Sequence, residues 1–136
     1  MFLKLFIPTW KFFDQLGTVS KIYYRILDKS DSGAWMPVLE KPPRNLLNLF
    51  YNPEGNLYLA CVALVDRLVF EIGSSPESLS PEQTEKLESY LLVQNMVKVL
   101  LVPKTVKKEL RFQFKIQVES ELKLPEDFLI SKELVL

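Results

Sequence analysis

The sequence predicts an α+β fold in which a small antiparallel sheet packs against two long central helices. Alternating apolar and polar residues, typical of half-buried strands, occur towards both ends of the 136-residue chain. Between them lie two long stretches with helical start signals and a helical spacing of apolar residues. We therefore expect three or four strands, contributed by both chain ends, with the helices packed on one face of the sheet.

A single globular domain over residues 1–136 is expected from length and composition. Hydrophobic residues make up 48% of the chain and charged residues 25%, as in ordinary folded proteins. A chain of this length buries about two-thirds of its unfolded surface. We find no internal repeat, low-complexity tract or linker that would divide it.

The strands are predicted from alternation. Residues 19–27 alternate and should form a hairpin with residues 34–40, whose Pro37 suits an edge strand. Residues 111–118 alternate without a break, and residues 2–7 could add a further strand. On the 111–118 strand we expect the polar side chains to face water and the apolar ones to face the helices.

The helix over residues 52–73 organises the rest of the prediction. The Asn52 side chain can cap its first turn, and Pro53 suits the first helical position. Gly73 should end the helix by adopting the left-handed conformation. Because most of the helix surface is apolar, we expect the rest of the chain to surround it. The small or polar stripe consists of Asn56, Ala60, Ala63, Arg67 and Glu71, with Arg67 and Glu71 spaced to pair.

A second helix should begin at Ser80, which forms a capping box with Gln83. We expect it to continue to about Val102. Residues 96–102 are rich in β-branched side chains, so a strand is the alternative there. The side expected to face the core carries Leu87, Tyr90, Leu91, Met96 and Val97.

Enzyme chemistry is not expected. The chain has no histidine, which removes the usual general base and metal ligand, and its one cysteine, Cys61, lies in an apolar helical run. Asp66 is the one carboxylate that stands out, and an ion pair with Arg25 or Arg44 explains it better than catalysis. We predict no cofactor, no metal site and no catalytic residue.

The charge pattern argues against nucleic acid as a partner. Seventeen basic and seventeen acidic residues give no net charge and no long-range attraction for phosphates. A local basic cluster lies at residues 104–115, whereas residues 51–95 are acidic. Five aromatic and polar residues could line a small cleft near the central helix: Tyr23, Tyr24, Trp35, Asn56 and Tyr58.

The first functional hypothesis is a non-catalytic interaction or accessory protein that binds a protein partner or itself. A cytoplasmic location fits the single cysteine and the lack of a signal-peptide pattern. The alternative is a peripheral membrane or lipid-binding protein, with an aromatic N-terminal segment and the basic cluster as its two contacts. The candidate interaction residues are Phe6, Trp10, Phe13, Lys104, Lys107, Lys108, Arg111 and Lys115.

Overall fold

A computed structural model describes residues 19–27, 33–43, 51–75, 78–102, 110–120 and 123–136. Within these ranges the chain forms an antiparallel sheet and three helices, which confirms the mixed α+β class. In chain order the elements are β1 (Val19–Leu27), β2 (Met36–Pro37), α1 (Pro53–Gly73), α2 (Pro81–Glu85), α3 (Glu88–Leu101), β3 (Arg111–Ser120), β4 (Lys123–Ile130) and β5 (Leu134–Val135).

The sheet joins the two ends of the described chain, as predicted. Its strand order is β2-β1-β3-β4, and β5 also pairs with β3. The β1–β3 ladder runs from Val19 opposite Glu119 to Leu27 opposite Arg111. β2 is short and forms an edge, in agreement with the position of Pro37. The predicted strand over residues 2–7 lies outside the described residues.

β4 was not predicted from the sequence. Pro125 and the adjacent Glu126 and Asp127 are uncommon in inner strands. They are accommodated because β4 lies at the edge of the sheet, where its pairing with β3 shifts register at two places.

The core lies between one face of the sheet and the two longer helices. Ile22, Phe112, Phe114 and Ile116 are buried on that face, which confirms the predicted inner sides of β1 and β3. The Tyr90 ring of α3 packs at 5.6 Å from the Phe114 ring, measured between centroids. The helices complete the core with Val65, Leu68, Val93, Val97 and Leu101.

The boundaries of α1 agree with the prediction, but its end has a different cause. The backbone N–H of Gly55 donates to the Asn52 side chain at 2.8 Å, so the predicted cap is confirmed. No described glycine has a positive φ, so the left-handed stop at Gly73 is wrong. Instead, the Ser74 backbone N–H donates to the Phe70 carbonyl, and the Ser74 and Ser75 hydroxyls donate to the Glu71 carbonyl.

The second long helix is divided in two. The capping box of Ser80 and Gln83 is present, but α2 ends at Glu85. Leu87 then adopts an extended conformation, and its side chain packs against the core before α3 begins. α3 continues to Leu101 with its C-cap at Val102, so the predicted helix is confirmed there and the strand alternative is wrong.

Candidate interaction surface

Five neighbouring side chains on α3 and at its C-cap form an exposed and largely apolar face. We call this the outer face of α3: Leu91, Leu92, Asn95, Val99 and Val102. Its four apolar members are between 44% and 69% exposed. The spacing of three or four residues places them along one side of the helix. Lys98 lies at one edge of this face, four residues before Val102, and Glu88 lies one turn before Leu91 and Leu92.

The outer face of α3 follows from how the helix docks on the sheet. Val93, Val97 and Leu101 point into the core and are almost completely buried. Met96 and Leu100 are partly buried against the core, whereas Leu91, Leu92 and Val99 remain at least 44% exposed. Leu91 was expected on the core side and lies on the outer face instead, because it is about 100° around the helix from the buried Tyr90.

The predicted small or polar stripe lies on the outward side of α1, beside the exposed Leu59 and Phe70. Asn56, Ala60, Ala63 and Arg67 are exposed, as the predicted stripe requires. Glu71 differs, because its carboxylate accepts a hydrogen bond from Ser89 on α3 rather than pairing with Arg67.

The expectation that the chain surrounds α1 does not hold for the described residues. Leu59 and Phe70 on α1 are 64% and 74% exposed. The physical reason is the two-layer architecture, in which α1 packs mainly against α3 and β1 and is covered on those sides only.

The opposite face of the sheet carries a polar and aromatic cluster centred on Lys115. The Lys115 ammonium nitrogen lies 3.0 Å from an Asp127 carboxylate oxygen, 5.0 Å from the centre of the Trp35 ring and 5.7 Å from that of Tyr23. Only 9% of Lys115 is exposed. The sequence placed Lys115 on an open, solvated face, and this is wrong because Trp35, Tyr23 and Asp127 cover it.

Arg25 extends this cluster towards the other end of β1. Its guanidinium group lies 4.6 Å from the centre of the Trp35 ring and donates twice to the Gln113 side-chain oxygen. Gln113 in turn donates to the Ser131 carbonyl. The network brings two cations to the Trp35 ring and ties β1, β3 and the segment after β4 together.

The predicted interaction residues fall into two groups. Arg111 forms an exposed ion pair with Glu133 at 2.8 Å, and Lys115 is paired as described. Their charges are therefore already matched within the chain. The other six lie outside the described residues: Phe6, Trp10, Phe13, Lys104, Lys107 and Lys108.

The predicted aromatic cleft is only partly present. Tyr23 and Tyr58 line a cavity of about 500 Å³ between β1, the segment after β2 and α1. Tyr24 is buried in the core, and Trp35 belongs to the Lys115 cluster. Lys21 lines the same cavity, and a hydrogen bond from its ammonium group to Glu119 raises the pKa of Lys21.

The structure places three reactive side chains, Cys61, Asp66 and Tyr90, in different surroundings. Cys61 is buried as predicted, and burial raises the pKa of its thiol. Asp66 is exposed. Of its two expected partners, Arg25 lies in the Trp35 network and Arg44 is outside the described residues. Burial, reinforced by the charge of Glu85, raises the pKa of Tyr90 to about 12.

Within the part of the chain that the structure covers, no three or more cysteine, aspartate or glutamate side chains are grouped so that they could hold a metal ion. Across the same part, no helix has the length and apolar character needed to cross a membrane.

Comparison of the chain with protein-family models, curated proteins and solved structures gives no significant match.

Proposed function

We propose that this chain is a non-catalytic protein-interaction or accessory protein, and that a protein partner docks on the outer face of α3. The observation that supports this proposal is the run of four apolar side chains, each between 44% and 69% exposed, over about three helical turns. Covering such side chains is favourable by about 25 cal/mol for each Å² of apolar surface removed from water. A contiguous apolar patch is therefore expected to have a binding partner.

The side of α1 next to the outer face of α3 also favours docking of a protein partner. Ala60 and Ala63 have short side chains, so a partner element can approach the α1 backbone closely beside the α3 face. Arg67 and Asn56 add polar groups of the kind that surround the apolar centre of an interface. The two helices together would offer an apolar centre with a polar border. Because Cys61 is a free thiol, the proposal includes a reducing compartment such as the cytoplasm.

The membrane-binding alternative receives less support from the described residues. It requires unpaired positive charge at residues 104–115, and the two described members of that cluster, Arg111 and Lys115, are each paired with a carboxylate. A cation that is already paired contributes less to attraction towards anionic lipid. The alternative remains a prediction that depends on the other six residues.

A pull-down from the native source tests the proposed function. The double variant Leu92→Asp with Val99→Asp places two charges on the outer face of α3, and it should lose the bound partner. The matched control is Leu124→Asp, because Leu124 is 89% exposed and belongs to strand β4 of the sheet rather than to the two long helices. The control should retain the partner.

Urea unfolding should first show that both variants remain folded, since exposed positions usually change stability by less than about 0.5 kcal/mol. If wild type and double variant retain the same set of proteins and the same mass in solution, the outer face of α3 is not the docking site.

A further inference from the structure

Resting on the proposed function, we further propose that the outer face of α3 binds the same face of a second copy of this chain, with the two α3 helices antiparallel. Asn95 would lie on the twofold axis. A twofold interface uses one patch twice, so the patch must be complementary to itself when reversed. The order of side chains along α3 meets this condition in size, hydrogen bonding and charge.

The apolar residues are arranged by size. The first half of the outer face carries Leu91 and Leu92, and the second half carries Val99 and Val102. An antiparallel copy places the half with the valines opposite the half with the leucines. With Asn95 on the axis, Val99 of the second copy is level with Leu91. Val102 of the second copy is level with Glu88, one turn beyond Leu91. Large residues opposite small ones fill the space between helices 8–10 Å apart.

The polar residue of the face lies at its middle. Asn95 is exposed, and its amide both donates and accepts hydrogen bonds. On a twofold axis the amide of one copy can therefore bond to the same amide of the other. A single asparagine in an otherwise apolar helix interface is known to fix register and orientation at some cost in stability.

The charges of α3 are also complementary when reversed. Glu88 lies in the first turn and Lys98 in the last turn, and neither forms an ion pair within the described residues. In the antiparallel arrangement Lys98 of the second copy is level with Leu92, about 6 Å along the axis from Glu88. Both side chains are long enough to span that offset. A parallel arrangement would instead set Glu88 against Glu88.

The outer face of α3 alone is too small for the proposed dimer interface, so α1 must contribute to it. α3 is about 21 Å long and about 10 Å wide, which is less than a stable interface of about 800 Å² per partner needs. Ala60 and Ala63 on the neighbouring side of α1 are exposed and roughly double the width of the patch, to about 420 Å². This is still about half of the stable value, so we expect a weak dimer that forms at high protein concentration. Two copies joined through both helices would form a four-layer arrangement with the sheets on the outside.

Cysteine substitutions test the geometry. Asn95→Cys should form an intermolecular disulfide under mild oxidation, because the two Cα atoms would meet within the 4.4–6.8 Å that a disulfide allows. The matched control is Glu88→Cys on the same side of the helix. In the antiparallel arrangement its two copies lie about 21 Å apart along the axis and should not crosslink. Wild type, in which Cys61 is buried, controls for that thiol.

The mass in solution tests the association. Sedimentation equilibrium from micromolar to millimolar protein should show a dimer for wild type and for Leu124→Asp. Leu92→Asp with Val99→Asp should weaken dimerisation by more than about a hundredfold, since it puts two charges in the interface of each copy.

The outcomes separate the two proposals. Equal crosslinking of the two cysteine variants would overturn the antiparallel arrangement. A monomeric wild type whose native partner is lost only in the double variant would overturn the second copy as occupant and leave the proposed function standing. A monomer whose partners do not depend on the outer face of α3 would overturn both.

Discussion

Lys115 on β3 donates a hydrogen bond to Asp127 on β4, with 3.0 Å between the ammonium nitrogen and the carboxylate oxygen. The pair differs from a surface ion pair because Trp35 and Tyr23 cover the lysine. Asp127 is more open, with 41% of its side chain exposed. We therefore expect substitution of Lys115 to lower stability more than substitution of Arg111, the exposed cation of the same strand.

Lys115→Glu should lower the free energy of unfolding by about 1–3 kcal/mol, because it buries an anion facing Asp127 and removes the contacts with two rings. Arg111→Glu is the matched control on the same strand. Its pair with Glu133 is exposed, so the expected loss is at most about 1 kcal/mol. Urea unfolding of both variants measures the difference, and equal losses would show that Lys115 is not covered.

Low pH should lower the free energy of unfolding, in part because Asp127 becomes protonated. Hydrogen bonds from Lys115 and then from Gln117 lower the pKa of the Asp127 carboxyl. A lowered folded-state pKa contributes stability above the unfolded value of about 3.9, and this contribution is lost as the pH falls through the folded pKa. Asp127→Asn should flatten the fall in urea midpoint below about pH 4. Glu126→Gln, at the next exposed carboxyl, is the control, and an identical effect there would contradict the assignment.

The orientation of α1 predicts that three leucine-to-alanine substitutions lower the free energy of unfolding by different amounts. Leu68→Ala should cost about 2–5 kcal/mol because Leu68 is completely buried. Leu64→Ala should cost less because Leu64 is only partly buried against the core, and Leu59→Ala should cost about 0.5 kcal/mol or less. Urea unfolding of the three variants gives the order. A large loss for Leu59→Ala would mean that α1 is covered on its outward side.

Tyr90 should tolerate loss of its hydroxyl group. The Tyr90 side chain is almost completely buried, and within the described structure its hydroxyl oxygen has no hydrogen-bond partner. Tyr90→Phe removes a buried hydroxyl group that has lost contact with water and makes no hydrogen bond in the described structure. The free energy of unfolding should therefore stay unchanged or rise by up to about 1 kcal/mol.

Ultraviolet titration offers a second measurement on Tyr90. The pKa of Tyr90 is raised to about 12, so one tyrosine should ionise later than in the unfolded protein, and that late component should be absent in Tyr90→Phe. A loss of more than about 1 kcal/mol in the phenylalanine variant would instead indicate a hydrogen bond to the hydroxyl.

The parts of the fold that depend on local chemistry could be predicted from the sequence. Asn52 caps α1, the capping box at Ser80 starts α2, and alternation marks β1 and β3. The break between α2 and α3 could not be predicted, because residues 82–102 contain neither glycine nor proline. Leu87 leaves the helical conformation and packs against the core, so tertiary contacts decide the break.

The surfaces were harder to predict than the elements. Whether a polar residue on β3 meets water depends on what lies above it, and Trp35, which covers Lys115, comes from a distant part of the chain. Likewise, apolar positions on a helix indicate burial somewhere but do not show whether the chain or a partner supplies the cover. Leu91 was therefore assigned to the core although it lies on the outer face of α3.

The nine-pair ladder between β1 and β3 has a consequence for how the chain folds during synthesis. Val19 cannot pair until Glu119 has been synthesised. At about 5–20 residues per second, the ribosome needs roughly 5–20 s to make the chain between them. Throughout that interval β1 has no β3 to pair with, and α1 has no complete sheet to pack on. Folding is therefore expected to be late and slow, as is usual when contacts join distant parts of a chain. The nascent protein should depend on chaperones more than a helical bundle of the same length.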